Sequence, residues 1–210
     1  MKTKLVSRTH LQKKLKSKQK TSKLLHTTIK SNNNINYTLS EVIDDSTYTH
    51  FKSLIKNSPD LCNGQTGDTG TNYKIRKSLL KDMEALKKDK HYRILYIHNN
   101  KEVIAYISTK LYSKDGGFMF IHKLCSKSGT GLGKKLMKLI LDDAKKNYKK
   151  LNITYLSLTT QNLDIVNYYK KFNPSRIIEV DTPESKAKIP QRCAYIIWQL
   201  SPDMPYLNYN

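Results

Sequence analysis

A chain of 210 residues with 38% apolar content holds one ordinary domain with flanking tails, not several domains. Its formal charge of +21 invites a nucleic-acid reading, but residues 1–40 carry +10 with no acidic residue and the remaining 170 carry +11. There are 33 lysines against 5 arginines, and Lys, Asn, Ile and Tyr supply 81 of the 210 residues, a bias that A+T-rich codons produce without selection for an acidic partner.

Three distant cysteines, Cys62, Cys125 and Cys193, form no C-x-x-C pair, and the six histidines show no ligand spacing. This pattern predicts no metal site and a reducing, cytoplasmic setting. No apolar run approaches the roughly 18 residues of a membrane span, and the N-terminal stretch has neither a secretory apolar region nor the arginines of a transit peptide.

In chain order, residues 1–36 read as a basic, disordered arm ending in Asn32-Asn33-Asn34. A strand is predicted over Asn36–Val42, followed by a helix over Asp44–Lys56 with Tyr48, Phe51, Leu54 and Ile55 on one face. Pro59, Gly64, Gly67 and Gly70 make Ser58–Asn72 a long loop, and Lys74–Lys88 returns to helical spacing. Three antiparallel strands follow at His91–His98, Glu102–Tyr112 and Phe118–Leu124, turning at Asn99-Asn100 and at Asp115-Gly116-Gly117. After these come a helix over Gly131–Lys146, a strand over Asn152–Thr160, a short helix from Asp164, and strands at Arg176–Val180 and Cys193–Leu200.

The most informative segment is Ser128-Gly129-Thr130-Gly131-Leu132-Gly133-Lys134-Lys135, where a strand gives way to a helix. Glycines there let a ligand approach the backbone, and the unpaired first amides of a helix form an anion site suited to a pyrophosphate. A Walker loop is excluded, because three residues instead of four separate Gly129 from Gly133-Lys134, and Lys135 replaces the required hydroxyl. A dinucleotide fingerprint is excluded as well: the glycines recur every second residue, and no acid follows the Tyr155–Leu158 strand.

Ser128 to Gly133 resembles the Q/R-x-x-G-x-G/A motif of the GNAT N-acetyltransferases, with Gly131 and Gly133 at the small positions and Ser128 where Arg or Gln is usual. Downstream, Asn162 to Pro174 resembles that family's N-x-x-A-x-x-hydrophobic-Y-x-K-x-G-F segment. Asn162, Tyr168, Tyr169 and Lys171 are in register, while Ile165, Asn173 and Pro174 replace the usual Ala, Gly and Phe. The resemblance covers residues 37–200 and leaves 201–210 as a tail. It implies an α/β (α+β) fold, a mixed, mostly antiparallel sheet flanked by helices in the order β-α-α-β-β-β-α-β-α-β-β.

The resemblance also implies acetyl-CoA as acyl donor and an amine as acceptor. The backbone of Leu124, Cys125 and Ser126 would line the pantetheine arm, with an amide at Leu124 or Cys125 donating to the thioester oxygen. Ser128, Gly129, Thr130, Gly131, Leu132, Gly133 and Lys134 would hold the pyrophosphate, with Lys127, Lys134 and Lys135 either adding charge or staying solvated. Asn162 would contact the cofactor or cap its helix. Tyr169 is the expected general acid, with Tyr168 as its alternative. The base would be His122 or water, since Phe118–Lys123 has no carboxylate. Cys125 is expected to be a small buried apolar residue, not a nucleophile. The rival expectation is an inactive, GNAT-shaped binding module whose basic arm attaches to nucleic acid or another polyanion. The acceptor would be set by the Ser58–Asn72 loop and the Asp181–Gln191 insert.

Overall fold

The computed structural model describes residues 27–58, 61–62, 84, 89, 91–112, 117–160, 163–182 and 191–201. Eight strands form one sheet: β1 (Thr27–Lys30), β2 (Asn36–Glu41), β3 (Tyr92–His98), β4 (Val103–Tyr112), β5 (Gly117–Ser126), β6 (Ile153–Thr160), β7 (Arg176–Thr182) and β8 (Gln191–Gln199). Their order across the sheet is β1-β2-β3-β4-β5-β6-β8-β7. Every neighbouring pair is antiparallel except β5 and β6, which run parallel and are connected by a helix. Three helices are found among the described residues: α1 (Asp45–Lys56), α2 (Leu132–Leu151) and the short α3 (Val166–Lys170), which a 3₁₀ turn at Leu163–Ile165 precedes.

Thr27–Lys30 is a strand, so the last ten residues of the stretch read as a disordered arm, 1–36, belong to a hairpin. Thr27 to Lys30 pairs antiparallel with Asn36 to Leu39, which makes Asn32-Asn33-Asn34 the turn of a hairpin. The expected Lys74–Lys88 helix lies outside the described residues except for Glu84, which is helical and 3.4 Å from Lys52 Nζ. The Asp181–Gln191 insert, most of the Ser58–Asn72 loop, residues 1–26 and the 202–210 tail fall outside them as well.

Local chemistry accounts for the helix limits. Asp44 caps α1, accepting from Thr47 N–H at 2.8 Å while Thr47 Oγ1 accepts from Asp44 N–H at 3.0 Å, a reciprocal capping box. Helix α2 runs five residues past the expected Lys146, because Ala144, Tyr148 and Leu151 keep the apolar stripe against the sheet. It ends at Asn152, whose left-handed backbone (φ 52°) stops it.

The sheet is covered on both faces. On one, α2 buries Leu132, Leu136, Met137, Ile140, Leu141 and Ala144 against Leu95, Ile97, Ile107, Ile121 and Leu156. On the other, α1 buries Tyr48, Phe51, Leu54 and Ile55 against Ile94, Tyr96 and Tyr106. Strand β4 lies between the two layers, so Val103 to Ile107 are buried without alternation. Arg93 on β3 ties the layers laterally, reaching Glu41 of β2 at 2.6 Å and Asp143 of α2 at 2.5 Å. Removing either acid would leave a half-buried charge undercompensated.

Candidate active site

The site begins where two parallel strands part. Pairing between β5 and β6 ends at Ile121 and Leu158, although β5 continues to Ser126 and β6 to Thr160. The cause is a bulge: Ile121 faces Thr109 and Lys123 faces Ser108, which leaves His122 as the extra residue on β5. From there β5 stays paired with β4 through Lys123, Leu124, Cys125 and Ser126. Its other edge borders a notch opposite Thr159 and Thr160, which pair with β8.

The notch opens onto the glycine segment. The chain leaves β5 at Ser126, turns through Lys127 to Thr130 and enters α2 at Leu132. Thr130 shapes the turn, its Oγ1 donating to the Lys127 carbonyl at 2.9 Å. The three glycines answer three different needs. Gly129 has φ +76° and open space where a Cβ would point. Gly131 has φ +69°, and a Cβ there would collide with the Asn32 carboxamide. Gly133 is helical and packs α2 onto the end of β5, since a Cβ there would be 2.7 Å from Ser126 Oγ. This cradle sets the positive end of a 20-residue helix beside the open space at Gly129. The donor set and the absent side chains fit a diphosphate.

The expected charges are partly committed elsewhere. Lys127 is ion-paired with Glu102 at 2.6 Å, and Lys135 Nζ donates to the Lys30 carbonyl. Lys134 and Ser128 are exposed.

Helix α3 also borders the glycine segment, through Tyr168. The Tyr169 ring is buried in the α2-side core, edge-on to Trp198 at 6.4 Å and to Tyr168 at 5.1 Å. Burial, with the neighbouring Tyr168 phenol, pushes its hydroxyl well above the usual phenol range. Tyr168 is half-buried, its own pKa pushed up to about 12 by burial. Its hydroxyl lies 3.6 Å from the position a Gly133 Cβ would take, so Tyr168 reaches the glycine end of the notch while Tyr169 lies beneath it. Asn173 adopts φ 49° just after the helix, the left-handed conformation that a glycine at this position would supply. The Asn173-Pro174 departure therefore preserves the helix end, which is also fastened by Trp198 Nε1 donating to the Phe172 carbonyl at 3.0 Å.

Sequence reasoning missed two features. Leu124 faces the α2-side core and Cys125 the α1-side core, where Cys125 is disulfide-bonded to Cys62. Cys125 is thus a cross-link from the segment after α1 to the notch edge, not a free buried thiol, and a disulfide runs against the reducing setting read from the cysteine spacing. Cys193 is free and buried. The second missed feature is the bulge, which sets His122 beside Tyr92 and Phe120 at ring distances of 5.1 and 5.0 Å, exposed at the start of the notch. Asn162 lies outside the described residues. Among the described residues no three His, Cys, Asp or Glu side chains gather as a metal site, and no helix is long and apolar enough to cross a membrane.

Comparison with known proteins identifies this architecture. The profile of the acetyltransferase (GNAT) family matches residues 60–173. No curated protein matches the chain. Among solved structures, it is similar to a GNAT-family protein of Desulfovibrio desulfuricans at 7% identity, over 79% of this chain and 99% of that one, with a TM-score of 0.51. It is similar to an acetyltransferase of Thermus thermophilus at 12% identity, over 77% and 97% of the two chains, with a TM-score of 0.50. An aminoglycoside 6′-acetyltransferase type Ii is similar at 14% identity, over 80% and 99%, again with a TM-score of 0.50. These likenesses establish a shared fold, and the family profile spans more than half the sequence. With a parted strand pair opening onto a glycine-built cradle, and with this profile match, the chain belongs to the GNAT acetyltransferase family.

Proposed function

We propose that the protein is an enzyme that transfers the acetyl group of acetyl-CoA to an amine. The observation that carries this reading is the notch between β5 and β6 opening onto the glycine junction, a slot between two parting strands with an anion site at its end. When bound, acetyl-CoA supplies an activated acetyl thioester.

The amides of Gly129 to Lys134 hold the diphosphate, with Ser128 at the rim, and the backbone of Leu124 to Ser126 lines the pantetheine arm. An N–H at Leu124 or Cys125 donates to the thioester oxygen, and Asn162 contacts the cofactor. Tyr169 Oη, at the tyrosine position of the second motif, would give its proton to the departing sulfur, with Tyr168, whose hydroxyl reaches the glycine segment, as the alternative donor. The ammonium proton of the acceptor leaves through His122 Nδ1 or Nε2, or through water; the His122 exposure at the start of the notch supports the former. Nothing favours the rival of an inactive polyanion-binding module, because the motif departure at Asn173 is conformationally matched. The basic N-terminal stretch is at most an accessory electrostatic attachment.

The test is titration calorimetry of acetyl-CoA followed by a screen of small-molecule, peptide and protein amines, scored by release of free CoA. Saturable binding with turnover on at least one amine supports the reading. Failure of the protein to bind acetyl-CoA overturns it.

A further inference from the structure

We infer that the turn of the β1–β2 hairpin is the outer wall of the coenzyme phosphate site. Its Asn32 carboxamide makes the phosphate contact that a long side chain at position 128 would otherwise make. The inference rests on the coenzyme reading above.

The turn is closed on itself. Ser31 N–H donates to the Ile35 carbonyl at 2.9 Å, Asn34 N–H donates to the Ser31 carbonyl at 3.2 Å, and Ser31 Oγ accepts from Asn33 and Ile35 N–H at 3.3 and 3.2 Å. Asn34 takes the left-handed backbone (φ 59°) that the tight turn requires. Two further groups of the hairpin bond the glycine segment. Asn32 N–H donates to the Thr130 carbonyl at 3.2 Å, and the Lys30 carbonyl accepts from Lys135 Nζ. These two bonds straddle Gly131, one before it in the loop and one after it in the first turn of α2.

Between them lies the Asn32 carboxamide. Its Oδ1, Nδ2 and Cγ occupy the space a side chain at position 131 would fill. The carboxamide makes no hydrogen bond among the described residues, and Asn32 is exposed, so its donor is available to a ligand over the loop. Position 128, where the family pattern carries Arg or Gln, holds an exposed serine, a side chain shorter than either. Lys127 is neutralised by Glu102, and Lys135 is tethered by the hairpin. The carboxamide is thus a polar side chain fixed over the cradle from outside the motif. A hydrogen bond from a neutral amide to a charged phosphate oxygen is among the stronger kinds.

The experiment is calorimetry with CoA and, separately, with pantetheine, which lacks the diphosphate and nucleotide. It uses full-length parent, Asn32→Ala, Asn32→Asp, and Asn32→Ala combined with Ser128→Arg. Asn32→Ala should weaken CoA about tenfold, the size of one hydrogen bond to a charged group. The isosteric Asn32→Asp, which turns a carboxylate toward the diphosphate, should weaken it further. Pantetheine binding should not change in either variant, and Ser128→Arg should recover most of the affinity lost by Asn32→Ala. CoA binding by both single variants equal to the parent overturns the proposal. Equal weakening of CoA and pantetheine, or failure of Ser128→Arg to restore CoA, overturns it as well. If the parent itself does not bind CoA, the coenzyme reading fails first and takes the hairpin role with it, an outcome distinct from the others. Circular dichroism on each variant separates lost binding from lost fold.

Discussion

Two parts of the β5–β6 notch are built in different ways. The glycine end is made mostly of backbone: three glycines, the first turn of α2 and a hairpin turn whose Asn32 N–H bonds the Thr130 carbonyl. The rest of the notch depends on side chains: a bulge places His122, a disulfide holds Cys125, and two adjacent tyrosines face different ways. A backbone-made site tolerates change where an added side chain meets open space, as at Gly129, but not where it meets a neighbour, as at Gly131 and Gly133. A side-chain-made site depends on register, so single-atom changes there should alter rate more than affinity.

The largest effect that would test this contrast is at Gly133. A valine there must displace Ser126 Oγ, 2.7 Å from the first added carbon, and so prise α2 off the end of β5. We expect Gly133→Val to weaken CoA by more than about 100-fold in calorimetry, in line with the cost of forced overpacking. Gly129→Ala meets nothing and bears only the left-handed backbone penalty of about 1 kcal/mol, so it should retain binding. Equal losses in the two variants would show that strain, not packing, governs the loop.

Among the side chains, Tyr169→Phe should lower kcat by about 100-fold with little change in CoA affinity, the size of a general-acid contribution. Tyr168→Phe, whose hydroxyl lies near Gly133, should change affinity more than rate. The reverse split in steady-state kinetics would exchange the two roles.

The disulfide comes next in size. Its cysteines are 63 residues apart, and for a loop of that length a stabilisation of about 2–4 kcal/mol is expected. Cys62→Ser should lower the melting temperature of protein purified without reductant, and intact-mass analysis with and without alkylation should show one bond per chain. A melting temperature equal to the parent's would mean that the cross-link contributes nothing to stability.

The smallest effect is a pH dependence that should be missing. Burial raises both phenols, Tyr168 to about 12, so both stay protonated in the folded and unfolded chain below about pH 10. Their contribution to stability is therefore fully present below about pH 10 and is lost as pH rises toward about 12. The rate profile should accordingly show no phenol titration between neutrality and about pH 10. A fall in kcat in that range that is abolished in Tyr169→Phe would contradict the buried, neutral phenol.

The same contrast accounts for what could be read from the sequence. Seven of the eight strands and the strand-glycine-helix junction were legible, because alternation, turn dipeptides and glycine spacing are backbone signals. Strand β1 was not, because the lysine-rich context around Thr27–Lys30 read as arm. The signal available was the run of asparagines between two β-branched stretches, a hairpin turn composition. Helix α2 was underestimated because its last turns, with Lys145, Lys146, Lys149 and Lys150, look solvated although Tyr148 and Leu151 pack against the core. The disulfide could not be read, since Cys62 and Cys125 approach only once α1 is laid on the sheet. Likewise the bulge at His122 reflects how β4 and β5 fit each other, which neither strand carries alone.

The most direct measurement is amide hydrogen exchange of the full-length protein with and without saturating CoA. The account predicts slowed exchange in two stretches, residues 122–135 along the notch edge and glycine loop, and residues 30–35 in the hairpin turn, with α1 unchanged. Saturable CoA binding that leaves 122–135 unprotected would place the coenzyme elsewhere and contradict the account.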